Sequence, residues 1–92
     1  MEKEQLFAMI DELKDQMIED ICAMVQIDSQ RSEAKPGMPF GAGVNEALLK
    51  ALSIAKREGL VTKNVDGYMG YGQYGEGENY IGVMGHLDVV EI

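Results

Sequence analysis

Ninety-two residues make at most one domain, and a chain of this size buries only somewhat over ~60% of the surface its unfolded form exposes. Sixteen acidic against eight basic residues give a formal net charge of −8, which repels polyanions and argues against a nucleic-acid partner. No run approaches the ~20 apolar residues of a membrane span, and Met1-Glu2-Lys3-Glu4-Gln5 lacks the basic start and apolar run of a secretory signal. A membrane partner is therefore not expected, and a cytoplasmic location is.

From about Lys3 to Gln26, Leu6, Ile10, Leu13, Met17, Ile21 and Met24 recur at three- and four-residue steps. That spacing predicts one long amphipathic helix with one buried stripe. Its outer face carries Glu4, Asp11, Glu12, Asp15, Glu19 and Asp20, a solvated surface or a face for a basic partner. Cys22, the single cysteine, excludes an internal disulfide and is expected as a small buried residue. Its acidic neighbours would raise a thiol pKa and disfavour a reactive role.

Between Asp28 and Gly43, Pro36 and Pro39 forbid a continuous helix, and the stretch reads as an ordered loop. Val44, Ala47, Leu48, Ala51, Leu52 and Ala55 then form a second helical stripe. Lys56 and Arg57 complement the dipole at its end, and Gly59 supplies the left-handed cap. Phe40 stands where it can staple the helix entry.

Leu60 to Val65 and Tyr68 to Tyr74 have the β-branched and aromatic content of strands, and Asp66-Gly67 between them predicts a hairpin. Gly70, Gly72, Gly75 and Gly77 resemble a phosphate-binding loop only superficially, since no G-x-x-x-x-G-K-[ST] sequence occurs and the neighbours are acidic. Turns and bulges are the expected use of these glycines. Tyr80 to Leu87 is apolar on both faces, as a central strand covered by helices would be. The order helix, helix, strand, strand, strand is an α/β arrangement: two amphipathic helices on a small three-stranded sheet, forming a single partial domain over 1–92.

Period two along that third strand places Tyr80, Gly82, Met84, His86 and Asp88 on one side. The only histidine and a carboxylate are then neighbours at a strand tip. An imidazole that binds zinc usually donates its second ring N–H to a carboxylate or carbonyl, so Asp88 can be that partner or a ligand itself. The bland alternative is that both side chains satisfy backbone groups where the strand ends.

The stretch Gly85-His86-Leu87-Asp88-Val89-Val90 resembles the G-H-x-D-V-V signature of the zinc-dependent M20 peptidases. Upstream, Pro39-Phe40-Gly41, the run Ala55 to Leu60, Lys63 to Tyr68, and Tyr80-Ile81-Gly82 are similar to the amino-terminal part of the PepV-like dipeptidase branch. The resemblance departs at the end, where the family continues with a proline and a glycine-rich turn and this chain has Glu91 and Ile92. It implies His86 as a zinc ligand and Asp88 as the catalytic-centre acid that orients it. It also implies a two-zinc hydrolase that activates water against a dipeptide amide, with cobalt or manganese as alternative ions.

The family's bridging aspartate, its other metal ligands and its general-base glutamate would lie downstream. One histidine cannot complete a zinc centre of about four ligands. For these 92 residues alone the expectation is no turnover, with an inert or oligomerising module as the alternative function and a deacylase or aminoacylase as the alternative parent. Self-association through an unfinished sheet edge is expected. Glu76, Glu78 and Glu91 are candidates for adventitious zinc at chain contacts.

Overall fold

The computed structural model describes residues 2–90, so Glu91 lies outside the described residues. Its elements in order are α1 (Lys3–Glu12), α2 (Lys14–Val25), α3 (Ala42–Arg57), β1 (Val61–Val65) and β2 (Met69–Gln73). The class is α/β, with three helices and a two-stranded antiparallel sheet.

The predicted first helix is interrupted once. At Leu13 the backbone N–H bonds back three residues to the Ile10 carbonyl at 3.0 Å, a tightened turn, and the ladder resumes when Met17 N–H reaches the Leu13 carbonyl at 2.9 Å. The stripe that was expected to be buried is exposed: Leu6, Ile10, Leu13, Met17 and Ile21 are each about half accessible or more, and Cys22 is exposed with them. Helical periodicity specifies a face without supplying its cover. Among the described elements α1 meets only α2, and α2 meets only α1 and α3. The radius of gyration, 15.5 Å, accordingly exceeds the roughly 12 Å of a compact chain of this length.

The α2 to α3 junction is held by charge. Arg57 donates from Nη1 and Nη2 to the two carboxylate oxygens of Asp20 at 3.0 and 2.7 Å, and its Nη2 also reaches Glu58. This fork lowers the Asp20 pKa below its ordinary value and raises that of Arg57, each through the hydrogen bonds first.

The loop from 28 to 41 is ordered, as its sequence predicts. Lys35 and Met38 exchange backbone hydrogen bonds across Pro36-Gly37, with Gly37 at φ 74°, the positive value a type II turn requires at that place. Ser32 N–H bonds the Phe40 carbonyl at 3.0 Å, folding the loop onto the start of α3. At the other end of that helix Leu60 N–H reaches the Ala55 carbonyl and Gly59 N–H the Lys56 carbonyl, with Gly59 at φ 90°. This is the pair of bonds of a Schellman cap, so the expected glycine stop is present.

β1 and β2 pair in the register Val61↔Gln73, Lys63↔Tyr71 and Val65↔Met69. Asp66 (φ 54°) and Gly67 (φ 79°) form the predicted tight turn, and the Asn64 side chain accepts from Gly67 N–H at 2.9 Å. Two of the strand glycines have a different use from the turns and bulges expected of them. Gly70 and Gly72 sit at regular ladder positions, where a Cβ would come within 2.8 Å of Leu52 and of Leu60 respectively. They let the hairpin lie against α3, whose Ala47 and Leu48 are the buried apolar side chains of the described core.

The third strand is absent among the described residues. Residues 74–88 run without ladder partners, and Tyr80, Ile81, Val83 and Met84 are at least 90% exposed. An apolar sequence with strand propensity still needs a neighbour to accept its backbone hydrogen bonds. The segment finds one only at its far end, where Gln30 and Val89 form an isolated parallel bridge and Val89 N–H donates to the Ser29 carbonyl at 3.2 Å.

Candidate functional site

That bridge fixes the segment carrying the candidate residues. Ser29, which accepts from Val89, is itself 4% exposed, and Asp88 is one residue away from this bond to the loop. His86 and Asp88 come together as predicted. The imidazole Nδ1 lies 3.1 Å from Asp88 Oδ1 and 3.1 Å from the Asp88 carbonyl oxygen.

Both of those partners are acceptors, so Nδ1 carries a proton and donates it. In the neutral ring the lone pair then belongs to Nε2. The pairing is achieved by a local turn of the chain rather than by strand alternation, since no ladder runs through this segment. The ring is 85% exposed and the carboxylate 58%. The arrangement therefore presents one unobstructed imidazole nitrogen whose tautomer is set by a neighbouring acid, the usual preparation of a metal-ligating histidine.

The fit to zinc stops at one ligand. Among the described residues no group of three or more His, Cys, Asp or Glu side chains is placed to hold a metal ion. The donor set suits a divalent ion of the zinc type at Nε2, but the described residues do not make a complete centre.

His86 and Asp88 stand in the wall of a groove of about 730 Å³ that runs between the loop, the hairpin and the 83–88 segment. Its volume falls within the roughly 300–1,000 Å³ typical of small-molecule sites. Leu48, Tyr68 and Met84 supply apolar wall, while Arg31 and Phe40 enter from the loop. Phe40 and Tyr68 meet edge to face, with ring centroids 5.7 Å apart and an interplanar angle of 84°. The Arg31 guanidinium lies 6.0 Å from the Phe40 ring centre. Phe40, expected from the sequence to staple the helix entry, thus also joins the loop to the hairpin. Arg31 was not singled out by sequence reasoning, because a lone arginine in a polar loop carries no spacing signal. No glutamate lines the groove among the described residues. No helix of the described chain is long and apolar enough to cross a membrane.

Comparison with known proteins gives the chain its relatives. No family model matches it. It is 44% identical over 79 residues to "Putative dipeptidase YtjP" of Bacillus subtilis, an alignment covering 84% of this chain and 17% of that protein. It is 38% identical over 79 residues to the "Beta-Ala-Xaa dipeptidase" of Lactobacillus delbrueckii subsp. lactis, again covering 84% of this chain and 17% of the relative. A "Putative dipeptidase" of Staphylococcus epidermidis is 38% identical over 81 residues, covering 86% and 17%. The chain is therefore related, across most of its length, to a segment amounting to about a sixth of proteins named as dipeptidases.

Proposed function

We propose that this chain is the part of an M20-type zinc dipeptidase that contributes one metal ligand and one wall of the substrate groove. The observation that carries the reading is the hydrogen-bonded His86–Asp88 pair at 3.1 Å, exposed at the edge of a groove large enough for a dipeptide. The similarity to proteins named dipeptidases supports the substrate class.

In this reading His86 Nε2 holds a zinc ion and Asp88 positions the ring. When bound, the metal supplies Lewis acidity toward the scissile carbonyl and activates water. Asp88 holds the Nδ1 proton in its hydrogen bond, which orients the ring and leaves Nε2 free for the metal. Leu48, Tyr68 and Met84 offer apolar surface to one side of the bound dipeptide. The chain spans about a sixth of its relatives' length, and this reading needs further ligands and a general base that the described residues do not supply.

The test is zinc titration by calorimetry with a dipeptidase assay, on this chain and on a longer polypeptide that includes it. His86→Ala should abolish hydrolysis by the longer protein and lower zinc affinity in both. Hydrolysis that survives His86→Ala unchanged would refute the assignment.

A second reading, self-association of the 92-residue chain, is favoured by the exposed apolar run Tyr80, Ile81, Val83 and Met84 and by the uncovered face of α1 and α2. Unpaired backbone beside apolar side chains is a template for strand addition. Sedimentation at tens of micromolar should give a species larger than the monomer, and a compact monomer there rules this reading out.

A further inference from the structure

We infer that the groove binds a soft monovalent metal ion, Cu(I), between Nε2 of His86 and the thioether sulfurs of Met84 and Met69; the inference shares its imidazole with the zinc reading and does not depend on it. The shortage of ligands around His86 is a shortage of carboxylates, thiolates and further imidazoles. Soft donors are present in the same groove. Met84 stands two residues before His86 in the 83–88 run, and Met69 enters from β2.

Neither methionine is spent on packing. Met84 is 97% exposed and Met69 55%, whereas the ordinary use of this side chain is to fill gaps in a core. Two residues of chain span at most about 7 Å, so the backbone of Met84 is never far from that of His86. An unbranched side chain with three rotatable bonds can carry its sulfur from there to an ion held at the ring. The ring offers one nitrogen for this, because Nδ1 donates to Asp88 and the lone pair of the neutral imidazole is on Nε2.

The donor types select the ion. Thioether sulfur is a soft, uncharged ligand that favours Cu(I), while zinc sites are built from thiolate, imidazole and carboxylate. A monovalent ion is also satisfied by fewer donors than the about four of a zinc centre. The net charge of −8 draws cations toward the chain although the three donors themselves are neutral. Cu(I) seated in the groove occupies Nε2, so it competes with any divalent ion for His86.

The probe is Ag(I), a redox-inert ion of the same charge and softness, titrated in chloride-free buffer. The protein is the 92-residue chain carrying Cys22→Ser, because the exposed thiol of α2 would itself take a soft ion. At a single equivalent the methyl resonances of Met84 and Met69 should shift together with the His86 ring signals, while those of Met9 and Met17 on α1 and α2 stay in place. Met84→Leu and Met69→Leu keep the side-chain volume and remove the sulfur. Each should lower Ag(I) affinity at least about tenfold, as should His86→Ala, since losing a group that merely orients a ligand already costs that much. Zinc affinity conferred by His86 should be unchanged in the two leucine variants.

Methionine methyls that do not respond, Ag(I) affinity unchanged in any of the three variants, or an equal loss of zinc affinity in Met84→Leu would each overturn the assignment. The zinc reading fails separately. Ag(I) binding that depends on Met84, together with no zinc binding at His86, keeps the soft-metal site and removes the zinc ligand. Zinc binding at His86 with no response of the methionines to Ag(I) does the reverse.

Discussion

Substituting Gly70 by alanine tests whether the hairpin and α3 are as closely apposed as the structure requires. On backbone grounds the change should help: Gly70 is not among the positive-φ glycines, and restricting the unfolded chain is worth about 0.4–1 kcal/mol. The new methyl, however, would lie 2.8 Å from Leu52 Cδ2 and 3.0 Å from both Leu48 Cδ1 and Leu52 Cδ1. Carbon atoms pack best at roughly 3.5–4.0 Å, so three contacts are too short by about half an ångström or more. All three atoms are ends of leucine side chains: Leu52 is half-buried and can give, but Leu48 is only 8% exposed and has less room.

Overpacking of this kind costs about 1–3 kcal/mol, and with the backbone gain set against it the middle of the two ranges is a net destabilisation of about 1 kcal/mol. In urea, with a slope of about 1 kcal/mol per molar for a chain this small, the unfolding midpoint should fall by about 1 M. The companion variant, Gly70→Ala with Leu52→Ala, opens room for the methyl. The double variant should be less destabilised than the sum of the two singles by at least about 0.5 kcal/mol. A midpoint that stays put or rises in Gly70→Ala, or strict additivity in the double variant, refutes the close packing of β2 on α3.

Three further outcomes are expected. Asp88→Asn should weaken zinc binding through His86 by about 10–100-fold while leaving the fold intact, as read by calorimetry and circular dichroism, because it removes the acid that sets the ring tautomer. Gly59→Ala should destabilise by about 1–2 kcal/mol in a denaturant titration although nothing lies within 4 Å of the added methyl, since the cost is that of holding φ near 90° in a residue with a Cβ. Asp20→Asn should loosen α2 from α3 at neutral pH, seen as faster amide exchange along α2. Asp20 is more acidic in the fold than its ordinary 3.8, so its contribution is complete above about pH 5 and is lost as pH falls through the lower folded value. The difference between wild type and variant should therefore vanish in acid, and a difference that instead grows on acidification contradicts the pairing with Arg57.

Much of the local structure was legible from residue order. The step of three and four from Val44 to Ala55, with Gly59 after Lys56-Arg57, marked α3 and its cap, because a helix and its stop are decided within one or two turns. Asp66-Gly67 marked the hairpin for the same reason, since two consecutive positive φ angles demand residues that tolerate them. The closeness of His86 and Asp88 followed from a separation of two residues.

Tertiary structure decided what depends on a partner. The stripe from Leu6 to Ile21 announced a helical face, and Tyr80 to Leu87 a strand, but whether apolar residues are covered depends on a second surface that their own sequence does not encode. The same holds for Gly70 and Gly72, whose role comes from leucines at Leu48, Leu52 and Leu60 that approach only once the hairpin has folded back. Arg31 gained its place beside Phe40 and in the groove of His86 through the 28–41 loop and the bridge to Val89, contacts between segments far apart in the chain. Backbone preferences act over a few residues and are written in local order, whereas burial and the assembly of a site are properties of surfaces brought together.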